Sequence, residues 1–200
     1  LATLEDSELW IELNTWKATG RWIENDDLTQ ESAIELARTF ADLLKSVPDR
    51  FTVESRWWLQ INRPSMLSAP LERWADRVIK KTESPSSAPT SEVDLDTAFA
   101  VAEHVLQISQ NPPELEESAY EAIDEPGWNQ CRLSVCKFLN AVLLNEDYRI
   151  PWESETKDLL VILATGRDQR LDAIDESEHH DWQFEAINSV RGEAWEGILR

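Results

Sequence analysis

Residues 175–181 read Asp-Glu-Ser-Glu-His-His-Asp, which sets two of the chain's three histidines among four carboxylates. Carboxylate oxygens and imidazole nitrogens are metal ligands, and Glu176 and His179, three apart, would share one helix face as the Glu-x-x-His pair of a di-iron bundle does. Such a centre takes two of these pairs, and the chain holds one. The remaining histidine, His104, directly follows Glu103, and neither a His-Glu-x-x-His motif nor a zinc-type Cys/His cluster occurs. Glu176, His179 and His180 are thus the candidate metal ligands, and the spacing points to a hydrated acidic turn ahead of the last helix.

Other chemistry has less to build on. The chain has no Gly-x-Ser-x-Gly elbow, no Walker A loop and no Gly-x-Gly-x-x-Gly. Cys131 and Cys136 stand five apart in a predicted helix, about 140° around its axis, a poor geometry for a disulfide between them. They read as core residues of a protein kept in a reducing compartment, and the expectation is a cytoplasmic chain with no catalytic residues and no cofactor.

Charge is the strongest compositional signal. Thirty-nine acidic residues against nineteen basic ones leave a net −20. That charge repels phosphate backbones and anionic lipid surfaces and favours basic protein partners. From Thr82 to Cys131 there is no Lys or Arg but eleven acids, among them Glu114, Glu116, Glu117, Asp124 and Glu125, so one face should be strongly negative. The longest uninterrupted apolar run, Leu159 to Ala164, is far too short to span a bilayer, and residues 1–20 carry too many acids for a signal peptide.

The elements that would position these residues are helical. Few alternating stretches, five glycines and no Asn-Gly or Asp-Gly pair argue against a β fold. Ala33, Leu36, Ala37, Phe40 and Leu44 share one helix face, with Asp27 and Gln30 placed as a capping box and Pro48 beyond the end. Leu95, Ala98, Phe99, Ala102, Val105 and Leu106 repeat the spacing, and Val101 and Ile108 widen that stripe toward a second contact. Leu133 to Leu144 is apolar on nearly every face and should lie centrally. Leu159 to Ala164 belongs to a helix begun at Pro151-Trp152. Further helices are predicted near 5–19, 50–62, 70–81, 114–124 and 182–200, with prolines 48, 64, 70, 112, 113, 126 and 151 as breaks. The Ser/Pro-rich stretch 82–92 reads as a connector between helical halves 1–81 and 93–200, which together form one continuous domain.

The chain has ten tryptophans. Most should fill gaps between helices. Trp57 and Trp58 are adjacent and cannot both face one core, so one is expected to be exposed as an aromatic anchor for a partner. In the last segment Phe184, Ile187, Asn188, Arg191, Ala194, Trp195 and Ile198 fall on one arc with Arg191 near its centre. A guanidinium pointing inward requires a carboxylate or carbonyl partner, so Arg191, with Asn188, is expected to tie this helix to the preceding one.

The run Ile187-Asn-Ser-Val-Arg-Gly-Glu-Ala194 resembles a short segment of all-helical, HEAT-like regions in large bacterial multidomain proteins, some of which contain NTPase modules. The resemblance covers little more than a dozen residues. It implies a helical scaffold within a longer cytoplasmic protein and transfers no catalytic residue. The start at Leu1 and the end within a helical pattern lead to the same expectation, a piece of a larger chain.

These readings converge on an all-α fold: an irregular HEAT-like array of about eight to ten helices. Its expected work is non-catalytic, presenting an acidic surface to a basic protein, to another domain or to a second copy, with no membrane and no direct nucleic-acid contact. An acidic mimic of nucleic acid that blocks a DNA-binding protein is the alternative, and a carboxylate/His metal-dependent enzyme the third.

Overall fold

Apolar residues three and four apart determine where helices form and which faces they bury. The computed structural model describes residues 1–16, 33–51, 57–83, 95–109, 127–166 and 189–199, save for the side chains of 48, 49, 58 and 80–83. The helices are α1 (Asp6–Thr15), α2 (Ala33–Ser46), α3 (Pro64–Glu83), α4 (Leu95–Ile108), α5 (Trp128–Leu144), α6 (Glu146–Thr165) and α7 (Val190–Ile198). With two 3-10 turns, Pro48–Phe51 and Trp57–Gln60, and no strand, the described part of the chain is all-helical. Seven α-helices are thus described where eight to ten were expected, and the one predicted over 114–124 lies outside the described residues.

The stripes bury as their spacing dictates. α2 covers Ala33, Ala37, Phe40 and Leu44, and α4 covers both its primary stripe and Val101. α5 is the centre: Cys131, Val135, Cys136, Phe138, Leu139 and Val142 are fully covered, and α3, α4, α6 and α7 all pack against it. Both segments flanking 82–92 contribute to one continuous hydrophobic cluster.

Bonds between helices set their directions. Ser134 Oγ of α5 donates to Glu72 Oε1 of α3 at 3.1 Å. Farther along both helices, Asn145 Nδ2 donates to Val78 O at 2.9 Å, so α3 and α5 advance in the same sense. Cys136 Sγ lies 3.6 Å from Val190 O, and Asn140 Nδ2 donates to Glu193 O at 3.2 Å, so α7 advances that way too. α6 runs against α7, because Arg191 meets the end of α6 at Gly166 whereas Gly197 abuts Leu160. The result is a row, α3–α5–α7, of helices pointing one way. On the α5 face that carries Phe138, Phe99 of α4 makes an edge contact with Phe138 at 5.4 Å and stacks on Trp152 of α6 at 4.5 Å.

Three local expectations need correction. Pro70 and Pro151 lie inside α3 and α6 rather than between helices. Each removes one helix hydrogen bond, a cost of about 3 kcal/mol or more. Burial on both sides offsets it: Met66, Leu67, Leu71 and Trp74 flank Pro70, and Tyr148, Leu159 and Leu160 flank Pro151. α3 accordingly runs to Glu83, into the stretch read as connector, whose remainder lies outside the described residues. Third, the helix predicted over 50–62 is not seen in the described part of that range, where 3-10 turns at Pro48–Phe51 and Trp57–Gln60 and a non-helical segment from Ile61 to Arg63 stand instead, while 52–56 lie outside the described residues. Partners distant in sequence hold this backbone: Asn14 Nδ2 donates to Gln60 O at 3.0 Å, Asn62 N donates to Asn14 Oδ1 at 2.7 Å, and His104 Nε2 donates to Ile61 O at 3.0 Å.

Candidate interaction site

Most of the residues singled out from sequence lie outside the described residues: Glu114, Glu116, Glu117, Asp124, Glu125, Glu176, His179, His180 and Asn188, together with the side chain of Trp58. Among the described residues no group of three or more His, Cys, Asp or Glu is arranged to hold a metal ion. Trp57 is partly covered. Its ring packs against Phe51 at 5.4 Å and its Nε1 donates to Arg50 O at 3.3 Å. Cys131 and Cys136 are buried in the core.

Arg191 is half-buried, and its Nε donates to Gly166 O at 3.0 Å. That carbonyl closes α6, whose last turn has no basic residue of its own. The buried Arg132 guanidinium of α5 lies against the same terminus, where a Cβ at Gly166 would stand 2.6 Å from Nη2. Two arginines from neighbouring helices therefore face the negative end of the α6 dipole. Trp195, placed on the inward arc from sequence, is instead 49% exposed. The buried stripe of α7 is Val190, Ala194 and Gly197. Small residues there let α7 approach α5 and α6 so closely that a Cβ at Gly197 would collide with Asn140 Oδ1 and reach within 2.8 Å of Leu160 Cδ1.

The outward side of the α3–α5–α7 row forms a groove of about 370 Å³. α5 supplies its floor with Lys137, Asn140, Ala141 and Leu144. α3 supplies one wall with Glu72, Ala75, Asp76 and Ile79, and α7 the other with Glu193 and Glu196. Four carboxylates thus line the two walls against a single ammonium, and that ammonium, Lys137 Nζ, sits 3.5 Å from Glu72 Oε1. The groove changes character along its length. Glu72 and Lys137 mark the charged end, and Ile79 and Leu144, 40% and 53% exposed, mark an apolar end. Asn140 fixes the floor to a wall through its bond to Glu193 O. Acceptors on both walls, with Ile79 and Leu144 exposed at one end, can receive cationic groups beside an apolar surface.

The groove was not read from sequence, although a signal was there. Glu72, Asp76 and Ile79 on α3, and Lys137, Ala141 and Leu144 on α5, repeat at i, i+4 and i+7 and so share a face on each helix. The density of apolar residues in α5 hid the second stripe.

Comparison with known proteins brings no counterpart: no protein-family model, no curated protein and no solved structure matches the chain.

Proposed function

We propose that the chain is a non-catalytic interaction module: an irregular HEAT-like helical array that presents an acidic surface to a basic partner or to a basic domain of a larger cytoplasmic protein. The observation that carries the reading is the groove over α3, α5 and α7, with carboxylates on both walls and exposed Ile79 and Leu144 at one end. A net charge of −20 steers basic partners toward such a surface. Support for the HEAT-like architecture comes from the shared direction of α3, α5 and α7 and from the opposed direction of α6, since stacked helix pairs place alternate helices in one layer. The segment 187–194 resembles HEAT-like regions of large bacterial proteins, which agrees with that architecture and suggests the larger context.

The test is calorimetric titration of the chain with lysine- and arginine-rich peptides and with glutamate-rich ones, at roughly 0.05 M and 0.15 M salt. Saturable binding of the basic peptides alone, weakened at the higher salt, is the expected result. Absence of a saturable complex with every basic peptide at the lower salt would refute the reading.

A further inference from the structure

We infer that the α3–α5–α7 groove receives an amphipathic helix of a partner protein, with an apolar stripe flanked on both sides by Lys or Arg. The inference rests on the interaction-module reading and specifies the occupant. Glu72 and Ile79 stand seven residues apart on α3, as do Lys137 and Leu144 on α5, so the groove is about 10 Å long at 1.5 Å per residue. That length matches two turns of helix, with anchors at i, i+4 and i+7.

The walls also select the occupant's backbone. Helix interiors bind their own N–H and C=O groups, so a groove walled by helices offers an extended peptide no ladder of partners, and a helix satisfies its backbone by itself. Charge selects the flanks. Asp76 on one wall and Glu193 and Glu196 on the other favour cations at both edges of the incoming stripe, while the exposed Ile79 and Leu144 receive its apolar side chains. A second copy of this chain, itself at −20, would bring acid against acid.

The test measures binding of three synthetic peptides of about 14 residues to the intact chain by fluorescence anisotropy. One has a leucine stripe flanked by lysine and arginine, one is a scramble of the same composition, and one keeps the stripe with glutamate flanks. Each is titrated into the parent, into Asp76→Lys/Glu196→Lys, into Leu144→Gln and into a control, Asp96→Lys/Asp158→Lys. The control makes the same charge change at exposed positions on α4 and α6. All substitutions are at exposed positions, and helicity by circular dichroism verifies that each variant is folded.

The first peptide is expected to bind at least about tenfold more tightly than the scramble, with the glutamate form not binding. Its affinity should fall by about tenfold or more in the two groove variants and by much less in the control. Equal binding of stripe and scramble, or equal losses in groove and control variants, overturns the helix-in-groove assignment and leaves the basic-partner reading standing. Failure of both basic peptides to bind overturns both.

Discussion

The N-terminal strap and the helix row are held by different forces. α1 buries only Leu9 and Leu13. Beside the packing of Leu1 and Leu4, this segment is attached by polar bonds of long sequence range: Asn14 bonds both Gln60 O and Asn62 N, Arg50 Nε meets Asp6 Oδ1 at 2.6 Å while its Nη2 donates to Leu4 O, and Arg63 donates to Trp16 O beneath the Trp16 ring. The row has the opposite economy. Its adhesion is apolar burial along α5, and its few cross-helix bonds, such as those of Asn140 and Asn145, set register. Polar groups in the strap bond to distant segments and hold the chain. In the row, packing holds the chain, so the carboxylates of α3 and α7 stand at the surface where a partner can meet them.

That contrast orders the expected effects. Phe138→Ala strikes the apolar side hardest, because the ring is fully buried and edges Phe99 at 5.4 Å. A loss of about 3–5 kcal/mol is expected from the urea midpoint, spread over every helix that packs on α5. Gly197→Ala comes next at about 1–3 kcal/mol, since the added methyl must displace Asn140 Oδ1 and Leu160 Cδ1. Its cost should shrink in an Asn140→Ala background, where the nearer obstacle is gone. The double-mutant cycle reads that coupling, and strict additivity would count against the close approach.

The strap answers to gentler changes. Asn14→Ala removes two bonds at an exposed site and should cost about 1 kcal/mol, with amide exchange rising in α1 and around 60–62 but not in α5. Uniform loss of protection in all helices would mean that strap and row form one cooperative unit. The smallest effect is expected on the solvent side of α6. There the Lys157 ammonium, hydrogen-bonded to Glu153 Oε1 at 2.6 Å, holds the Glu153 carboxyl below its ordinary value. A folded value below the unfolded one gives stabilisation that is present above the unfolded value and lost as pH falls through the folded one. Glu153→Gln should therefore flatten that acid limb slightly, and an NMR titration of Glu153 rising toward its ordinary value in Lys157→Met would identify the main cause.

The apolar half of this contrast was legible in sequence. The spacing in 33–44 and 95–106 names the buried faces of α2 and α4, and the all-round apolar character of 133–144 marks α5 as the centre. Burial is periodic, and periodicity is local. The polar half was hidden because its partners are distant: nothing near Ile61 announces His104 or Asn14, so 50–62 was read as a helix. Pro70 and Pro151 misled for the same reason, since a local rule was outweighed by packing from elsewhere in the chain. Arg191 was readable as an inward cation, whereas the exposure of Trp195 depends on the small stripe of α7, which centres the contact on Gly197. The groove draws on residues from 72 to 196, and no sequence window contains it.

The measurement closest to the central claim is amide hydrogen exchange of the chain with and without the lysine- and arginine-flanked helical peptide. The account predicts added protection in 72–79, 137–144 and 193–197, the three groove segments, with α1 and the segment 60–62 unchanged. Protection confined to the strap, or none while the peptide is bound, would contradict it.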